Sequence, residues 1–155
     1  MKKIDKKILI QLLKDAEQPV VDIADKVGIS RQTVSKKIDQ FKKDGILKEI
    51  KANLDSNKLG INVKAFVFLQ EDPQDEIRNK NEKKINDFHQ VARFLRLFGR
   101  YSGVLEVWTK DRDSLTEIVK KIHELEGVRE TETFIVHSGV KDKPADPLIE
   151  ILTEE

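Results

Sequence analysis

The sequence predicts an α+β protein, in which an N-terminal winged or helix-turn-helix domain precedes a ferredoxin-like βαββαβ domain. Up to Asp44 the apolar residues show only helical spacing, whereas residues 61–136 alternate between strand-like and helical spacing. The charge changes along the chain in the same way: residues 1–60 hold 14 Lys or Arg against 9 Asp or Glu, and the rest holds 15 against 19. We therefore expect a basic domain over 1–60, a mildly acidic domain over 61–141 and a tail over 142–155.

Composition narrows the classes of protein to which this chain can belong. It has 155 residues with 29 Lys or Arg, 28 Asp or Glu and no cysteine, which excludes disulfide scaffolds, zinc fingers and thiol catalysis. No apolar run approaches the roughly 18 residues of a membrane span, and no signal-peptide region is seen, so we expect a cytoplasmic protein without a membrane partner. The three histidines lack ligand spacing and no glycine-rich nucleotide motif occurs, so no metal, cofactor or catalytic site is predicted.

Three helices are predicted in the first domain. The first is indicated by apolar residues at helical spacing, which are Ile4, Ile8, Leu9, Leu12 and Leu13. Pro19 interrupts that pattern, and a second short helix follows it and ends at Gly28. The third helix covers about 31–44, with Ser30 as its N-cap. Its apolar face is formed by Val34, Ile38 and Phe41.

The second and third helices have the spacing of a helix-turn-helix motif. Ala24 is small enough for two helices to cross closely, Gly28 makes the turn, and Val34 anchors the next helix. The outward face of the third helix is polar and basic, so we interpret the motif as DNA-binding rather than as a structural helical hairpin. The residues predicted to contact double-stranded DNA are Ser30, Arg31, Gln32, Thr33, Ser35, Lys36 and Lys37.

The second domain is predicted to begin with a strand and a helix. A strand-like connector over 46–54 and a turn-rich junction precede it. Over 61–71 the pattern has a period of two and both faces are partly apolar, so this strand has two faces to bury. Asp72 and Pro73 then predict a helix start, with a capping carboxylate and a proline at the first helical position.

The remaining elements complete the order strand, helix, strand, strand, helix, strand. Strands over 91–98 and 104–110 flank a hairpin loop with glycine at both ends. Asp113 or Ser114 can cap the helix that follows, and a final strand covers 128–136. This order is that of a split βαβ, ferredoxin-like sandwich.

Over about residues 3–141 the chain resembles the Lrp/AsnC (leucine-responsive, feast/famine) transcription regulators. The segments that carry the resemblance are Ile4 to Leu9, Ile23 to Ser30, Asp44 to Leu47, Lys58 to Gly60, Gly127 with Val128, and Thr131 to Val136. The resemblance implies a DNA-binding domain joined to a ferredoxin-like (RAM) domain for effector binding and oligomerisation. It also implies homodimers, paired through their C-terminal sheets, that assemble into tetramers or octamers and respond to an amino-acid-like small molecule.

The resemblance places an effector site at the hairpin loop and the last strand. The corresponding residues of this chain are Gly99, Arg100, Tyr101, Ser102, Thr131 and Thr133. Many members have Gly-Asp-Tyr-Asp in the loop, where an acidic side chain can hold an amino group, and Arg100 and Ser102 replace both acidic positions. The sequence leaves open whether the effector is an amino acid, an acidic or different ligand, or absent altogether. Arg100 can also be interpreted as a solvent-facing charge.

Two other functions fit the same architecture. The two-domain architecture also resembles that of the sirohaem decarboxylases, in which case the candidate tetrapyrrole contacts are His89, His123, His137, Arg93, Arg96 and Arg100. A protein–protein adaptor that uses the helical hairpin is the third hypothesis. The tail contains an apolar cluster of Leu148, Ile149, Ile151 and Leu152, which fits docking on a neighbour as well as a loosely ordered terminus.

Overall fold

The computed structural model describes residues 1–154. The chain forms two compact units. The first, called here the helical unit, consists of Met1–Asn53 together with the C-terminal segment from Val140, and the second, called the sheet unit, consists of Leu54–Gly139. The chain therefore leaves the helical unit and returns to it after completing the sheet unit.

Three helices make up the N-terminal part of the helical unit, as the spacing predicts. They are α1 (Lys3–Lys14), α2 (Val20–Val27) and α3 (Arg31–Lys43). Helices of this length are marginal in isolation, so they depend on burying their apolar faces against one another. The buried core residues are Ile8, Leu9, Ile23, Ala24, Val34 and Phe41.

Four antiparallel strands and two helices make up the sheet unit. The strands are β1 (Val63–Glu71), β2 (Val91–Arg96), β3 (Gly103–Thr109) and β4 (Val128–Ile135), and their spatial order is β2-β3-β1-β4. The helices are α4 (Asp75–Asn86) and α5 (Arg112–His123). This is the predicted ferredoxin-like arrangement, with β1 paired to both β3 and β4.

The two faces of the sheet differ in character. On the inner face, strand residues such as Val67 and Leu105 pack with Ile85 of α4 and Ile118 of α5. The alternate residues form the outer face, where Phe134 remains 51% exposed. Strand β1 therefore has two apolar faces, as predicted, but α4 and α5 cover only the inner one.

The prediction of a strand-like connector is wrong. Residues 48–55 have no regular secondary structure, and 46–54 contribute no strand to the described residues 1–154. An extended segment becomes a strand only when its backbone pairs with a neighbour, and the apolar pattern of a sequence does not supply that partner.

Two helix starts also differ from their predictions. Helix α4 begins at Asp75, because the N–H of Asp72 donates to the carbonyl oxygen of Gly127 (2.9 Å) and its carboxylate pairs with Arg129. Helix α5 is capped by Asp111, whose carboxylate accepts the N–H of Ser114 at 2.8 Å. In both cases the capping residue lies two or three positions from the predicted one.

The C-terminal segment is an ordered part of the helical unit. Asp146–Thr153 forms helix α6, and Leu152 packs against the core of α1 to α3. Lys6 Nζ of α1 donates to the carbonyl oxygen of Glu154 at 2.6 Å. The neighbour on which the tail docks is thus α1 of the same chain. Among residues 1–154 no helix combines the length and the apolar character that crossing a bilayer requires.

Candidate functional site

The turn between α2 and α3 has the geometry of a helix-turn-helix. Gly28 has φ +79°, in the left-handed region that favours glycine, and its N–H donates to the carbonyl oxygen of Ala24 at 2.8 Å. Ser30 caps α3, since the N–H of Thr33 donates to Ser30 Oγ at 3.3 Å and the two hydroxyls hydrogen-bond at 2.8 Å. Val34 is fully buried in the core that α1, α2 and α3 share. These contacts fix the first turn of α3.

Most of the residues predicted to contact DNA lie on an exposed surface at the start of α3. Arg31, Gln32, Ser35 and Lys36 are exposed, and we call these four the recognition surface. Within residues 1–154 their side chains form no hydrogen bond or ion pair, so their polar atoms are available to a ligand. Thr33 is also exposed, but its hydroxyl is used in the cap.

Lys37 lies in a different environment from the recognition surface. Its ammonium group pairs with the carboxylate of Asp5 on α1, and the two side chains are only 27% and 15% exposed. The pair ties α1 to α3. Because the Lys37 ammonium is already paired with Asp5, it is not free to neutralise a DNA phosphate. The two residues are 32 positions apart, and no local pattern in the sequence indicates such a contact.

The hairpin loop between β2 and β3 lies beside the last strand on the outer face. Arg100 Nη2 is 3.1 Å from Glu130 Oε1, and the guanidinium lies 5.1 Å from the centroid of the Tyr101 ring. The hydroxyl of Tyr101 donates to Glu132, and its ring lies 5.4 Å from that of Phe68. We call Arg100, Tyr101, Glu130 and Glu132 the loop cluster.

The loop cluster combines two carboxylates, one guanidinium and a phenol. The hydrogen bond to Glu132 raises the pKa of Tyr101 above its usual 10.0, because only the protonated phenol can donate that bond. Both glutamates come from β4, at alternate positions that share a face with Phe134. Such a cluster can accept an ammonium group through its carboxylates and hold a carboxylate through Arg100.

Thr131 and Thr133 do not join the loop cluster, although the prediction groups them with the loop. They lie opposite Leu69 and Val67 in the pairing of β1 with β4, and paired residues share a face of the sheet. Leu69 and Val67 are buried on the inner face, and Thr131 Oγ1 lies 3.2 Å from Nδ1 of His123 on α5. The register thus separates the two threonines from the loop and brings Glu130 and Glu132 to it.

Ser102 and Gly103, at the end of the loop, contact the sheet instead of the loop cluster. Ser102 Oγ accepts the N–H of Glu71 at 3.0 Å, so its hydroxyl is directed toward β1. A Cβ atom at Gly103 would lie 2.7 Å from the ring of Phe94, so any other residue there would have to displace the ring. Gly99 has open space at its Cβ position.

Two of the candidate tetrapyrrole contacts lie on opposite faces of the sheet, since Arg93 is paired with Glu106 on the outer face and Arg96 contacts Glu71 on the inner one. Within residues 1–154 no three His, Cys, Asp or Glu side chains group so that they could hold a metal ion. Each of the three arginines lies near a carboxylate: Arg93 near Glu106 at 3.9 Å, Arg96 with Glu71, and Arg100 with Glu130.

Two family models match the chain. The winged helix-turn-helix DNA-binding model matches residues 1–48, and the Lrp/AsnC ligand binding domain model matches residues 64–146. Among curated relatives, the regulatory protein AsnC of Haemophilus influenzae is 31% identical over 134 residues, which cover 85% of this chain and 88% of that protein.

Solved structures share the fold over almost the whole chain. An AsnC family transcriptional regulator from Agrobacterium tumefaciens has a TM-score of 0.85 at 25% identity, covering 93% of this chain and 95% of that one. The transcriptional regulator NMB0573 from Neisseria meningitidis, solved as a complex with L-Met, has a TM-score of 0.89 at 18% identity, covering 97% and 99%.

Proposed function

Because this chain belongs to the Lrp/AsnC family of transcription regulators, we propose that it reads a specific double-stranded DNA sequence with the recognition surface of α3. The observation that carries this proposal is the exposure of Arg31, Gln32, Ser35 and Lys36 together on the first turns of a capped and packed helix. Side chains at that end of the second helix of the motif reach base edges in the major groove. Arginine pairs bidentately with guanine, and glutamine with adenine.

The experiment that tests this proposal is selection of bound duplexes from a random DNA library at near-physiological salt. The expected result is a partly palindromic sequence that binds about 10³-fold or more tightly than scrambled DNA. Tight binding without enrichment would overturn the proposal in favour of DNA compaction. Absence of binding at every salt concentration would instead favour the protein–protein adaptor.

We propose that two copies pair through the outer faces of their sheets. This face exposes large apolar side chains in the single chain, with Phe66 39%, Leu95 49% and Phe134 51% exposed. A two-fold dimer presents two recognition helices, which fits half-sites about 34 Å apart or multiples of that distance. Further assembly into tetramers or octamers, as the family resemblance implies, would build on this dimer.

The dimer proposal is tested by measuring the mass of the particle in solution by light scattering. Phe134→Glu should yield monomers, because it places a charge within the exposed apolar patch of the outer face. Val21→Glu is the matched control, since Val21 is equally exposed at 50% but belongs to α2 of the helical unit. A Phe134→Glu protein with the wild-type mass would contradict pairing through the outer face.

We further propose that the loop cluster binds an amino-acid-like effector. Glu130 and Glu132 supply from β4 the acidic groups that the loop itself lacks, and Arg100 can hold the carboxylate of the same ligand. The L-Met complex of the Neisseria meningitidis regulator supports a ligand of this class. Thermal unfolding with each of the twenty L-amino acids should reveal one that stabilises the wild-type protein and has a smaller effect on Arg100→Gln. Stabilisation by none of them would overturn the effector proposal.

We propose that the protein acts in the cytoplasm and without an enzymatic step. The names of its curated relatives as regulators support this assignment. Of the three arginines that a tetrapyrrole would need, Arg96 is already bound to the buried carboxylate of Glu71, which is a further argument against the decarboxylase hypothesis. A shift of the sirohaem absorption bands on adding the protein would contradict the proposal.

A further inference from the structure

A fully buried carboxylate lies at the end of β1, next to the hairpin loop. The Glu71 side chain is 0% exposed, which is rare for a charged group unless it is paired. Its Oε1 accepts Nη1 of Arg96, and its Oε2 accepts Nδ2 of Asn81 at 3.0 Å. Nε of Arg78 lies 3.8 Å from Oε1. Both carboxylate oxygens are therefore occupied by donors.

Glu71 contacts both ends of the loop formed by residues 97–102. Arg96 immediately precedes the loop and is bound by the carboxylate. At the other end, Ser102 Oγ accepts the N–H of Glu71 at 3.0 Å, and the Ser102 N–H donates to the carbonyl oxygen of Leu69 at 2.9 Å. One residue of β1 thus holds the entry to the loop with its side chain and the exit with its backbone.

The same carboxylate connects the loop to α4. Asn81, the partner of Glu71 Oε2, is 0% exposed and also donates to the carbonyl oxygen of Glu126 at 2.8 Å. Arg96 bridges to α4 a second time, since Nε and Nη2 lie 2.9 and 2.8 Å from Glu82 Oε1. Asn81 and Ile85 are the buried residues of α4, so the polar contacts of Asn81 add to the apolar packing of Ile85 on the sheet.

We propose that Glu71 is a positioning residue of the effector site, which fixes both ends of residues 97–102 so that Arg100 and Tyr101 meet Glu130 and Glu132 in one geometry. This inference rests on the proposed effector function of the loop cluster. We expect Glu71 to touch no ligand, because it contacts Asn81 of α4 on the inner side of the sheet, whereas the cluster lies on the outer face. Its role is to limit the conformations of the loop.

The test is backbone amide hydrogen exchange on the free protein, compared among wild type, Glu71→Gln and Glu82→Gln. Glutamine replaces one acceptor oxygen with an NH₂ group, which then faces a donor of Arg96 or Asn81. Exchange of the two hydrogen-bonded amides of the segment, those of Leu97 and Ser102, should rise by about tenfold or more in Glu71→Gln, while exchange in α1 to α3 stays unchanged. Glu82→Gln is the matched control and should change loop exchange less than about twofold, because that carboxylate is half-exposed.

Two exchange results would overturn the proposal. One is wild-type exchange over 97–102 in Glu71→Gln, and the other is an equal rise throughout the sheet unit, which indicates a purely structural role. Should Glu71→Gln fail to fold, Ser102→Ala tests the exit contact alone and should also speed exchange, and Ser102→Thr should restore it. Wild-type exchange in Ser102→Ala would then overturn the proposal.

Ligand response separates this proposal from the proposed function. Glu71→Gln should lose the stabilisation by whichever amino acid stabilises the wild type, and should bind the selected DNA duplex as tightly as wild type does. If no amino acid stabilises the wild type, the effector function fails, while the exchange measurement still decides whether Glu71 fixes the loop. Full amino-acid stabilisation of Glu71→Gln would overturn the positioning role alone.

Discussion

Replacing Lys37 by alanine should destabilise the protein and leave DNA binding nearly unchanged. The ammonium of Lys37 contacts the carboxylate of Asp5, which is only 15% exposed. Removing the lysine leaves this mostly buried carboxylate without its charged partner, at a cost of about 1–3 kcal/mol in the free energy of unfolding. Because the ammonium is already paired, its loss should not remove a phosphate contact. The slope of log K against log salt should then stay within about 0.3 of wild type, whereas a lost phosphate contact changes it by about 0.9.

A double-mutant cycle in urea isolates this ion pair. Asp5→Asn and Lys37→Ala are measured alone and together, and we expect a coupling energy of about 1 kcal/mol. Lys43→Ala is the matched control, since this lysine of the same helix is exposed and should change stability by no more than about 0.5 kcal/mol. If Lys37→Ala proves as harmless as Lys43→Ala and also lowers the salt slope by about 0.9, then Lys37 contacts a phosphate and is not held by Asp5.

Three further predictions concern local contacts. Ser30→Ala removes the cap of α3 and should lower the stability of the helical unit by about 1 kcal/mol in urea unfolding; no change would mean that the cap is not formed in solution. Gly103→Ala brings a Cβ atom within 2.7 Å of the Phe94 ring and should cost about 1–3 kcal/mol, so a neutral result would contradict this packing. Hydrogen bonds from Ser114 hold the pKa of Asp111 below its usual 3.8. The charged Asp111 cap therefore stabilises the fold above that pH, and this stabilisation is lost as the pH falls through the folded pKa. The melting-temperature difference between wild type and Asp111→Asn should shrink below pH 3.8, and a difference that stays constant would contradict a stabilising charged cap.

Elements set by neighbouring residues could be predicted from the sequence. The left-handed turn at Gly28 and the cap at Ser30 involve partners within four residues, so the pattern of residue types contains all the information needed. The same holds for the helix stripes and for the alternation along β1 and β4. The order of elements then led to the ferredoxin-like arrangement, because few topologies accommodate that order.

Contacts between distant residues could not be predicted in this way. The choice between Thr131 with Thr133 and Glu130 with Glu132 at the loop depends on the register of β4 against β1. Alternation does place Glu130, Glu132 and Phe134 on one face, and that signal could have identified the glutamates. By contrast, no pattern marks Glu71 as the partner of a residue 25 positions away.

For the connector over 46–54 the sequence predicts a strand that does not form. Its alternating pattern is compatible with a strand, but a strand also needs a pairing partner, and the described chain supplies none for residues 48–55. Helix α6 had the apolar side chains to dock, yet the surface that receives them is α1, which lies at the other end of the sequence. In both cases the local pattern indicated what the segment could form, and the presence or absence of a tertiary partner decided whether it formed.

The most direct test of DNA recognition by α3 compares Arg31→Ala with Lys43→Ala on the selected duplex and on a scrambled one. Both side chains are exposed, but Arg31 lies at the start of α3 and Lys43 at its end. Arg31→Ala should weaken binding to the selected site by about 5- to 150-fold with little effect on scrambled DNA. The sequence assigns Lys43 to a phosphate, which carries no sequence information, so Lys43→Ala should weaken binding to both duplexes by the same factor. Equal losses on the two duplexes for Arg31→Ala would contradict base recognition by this surface.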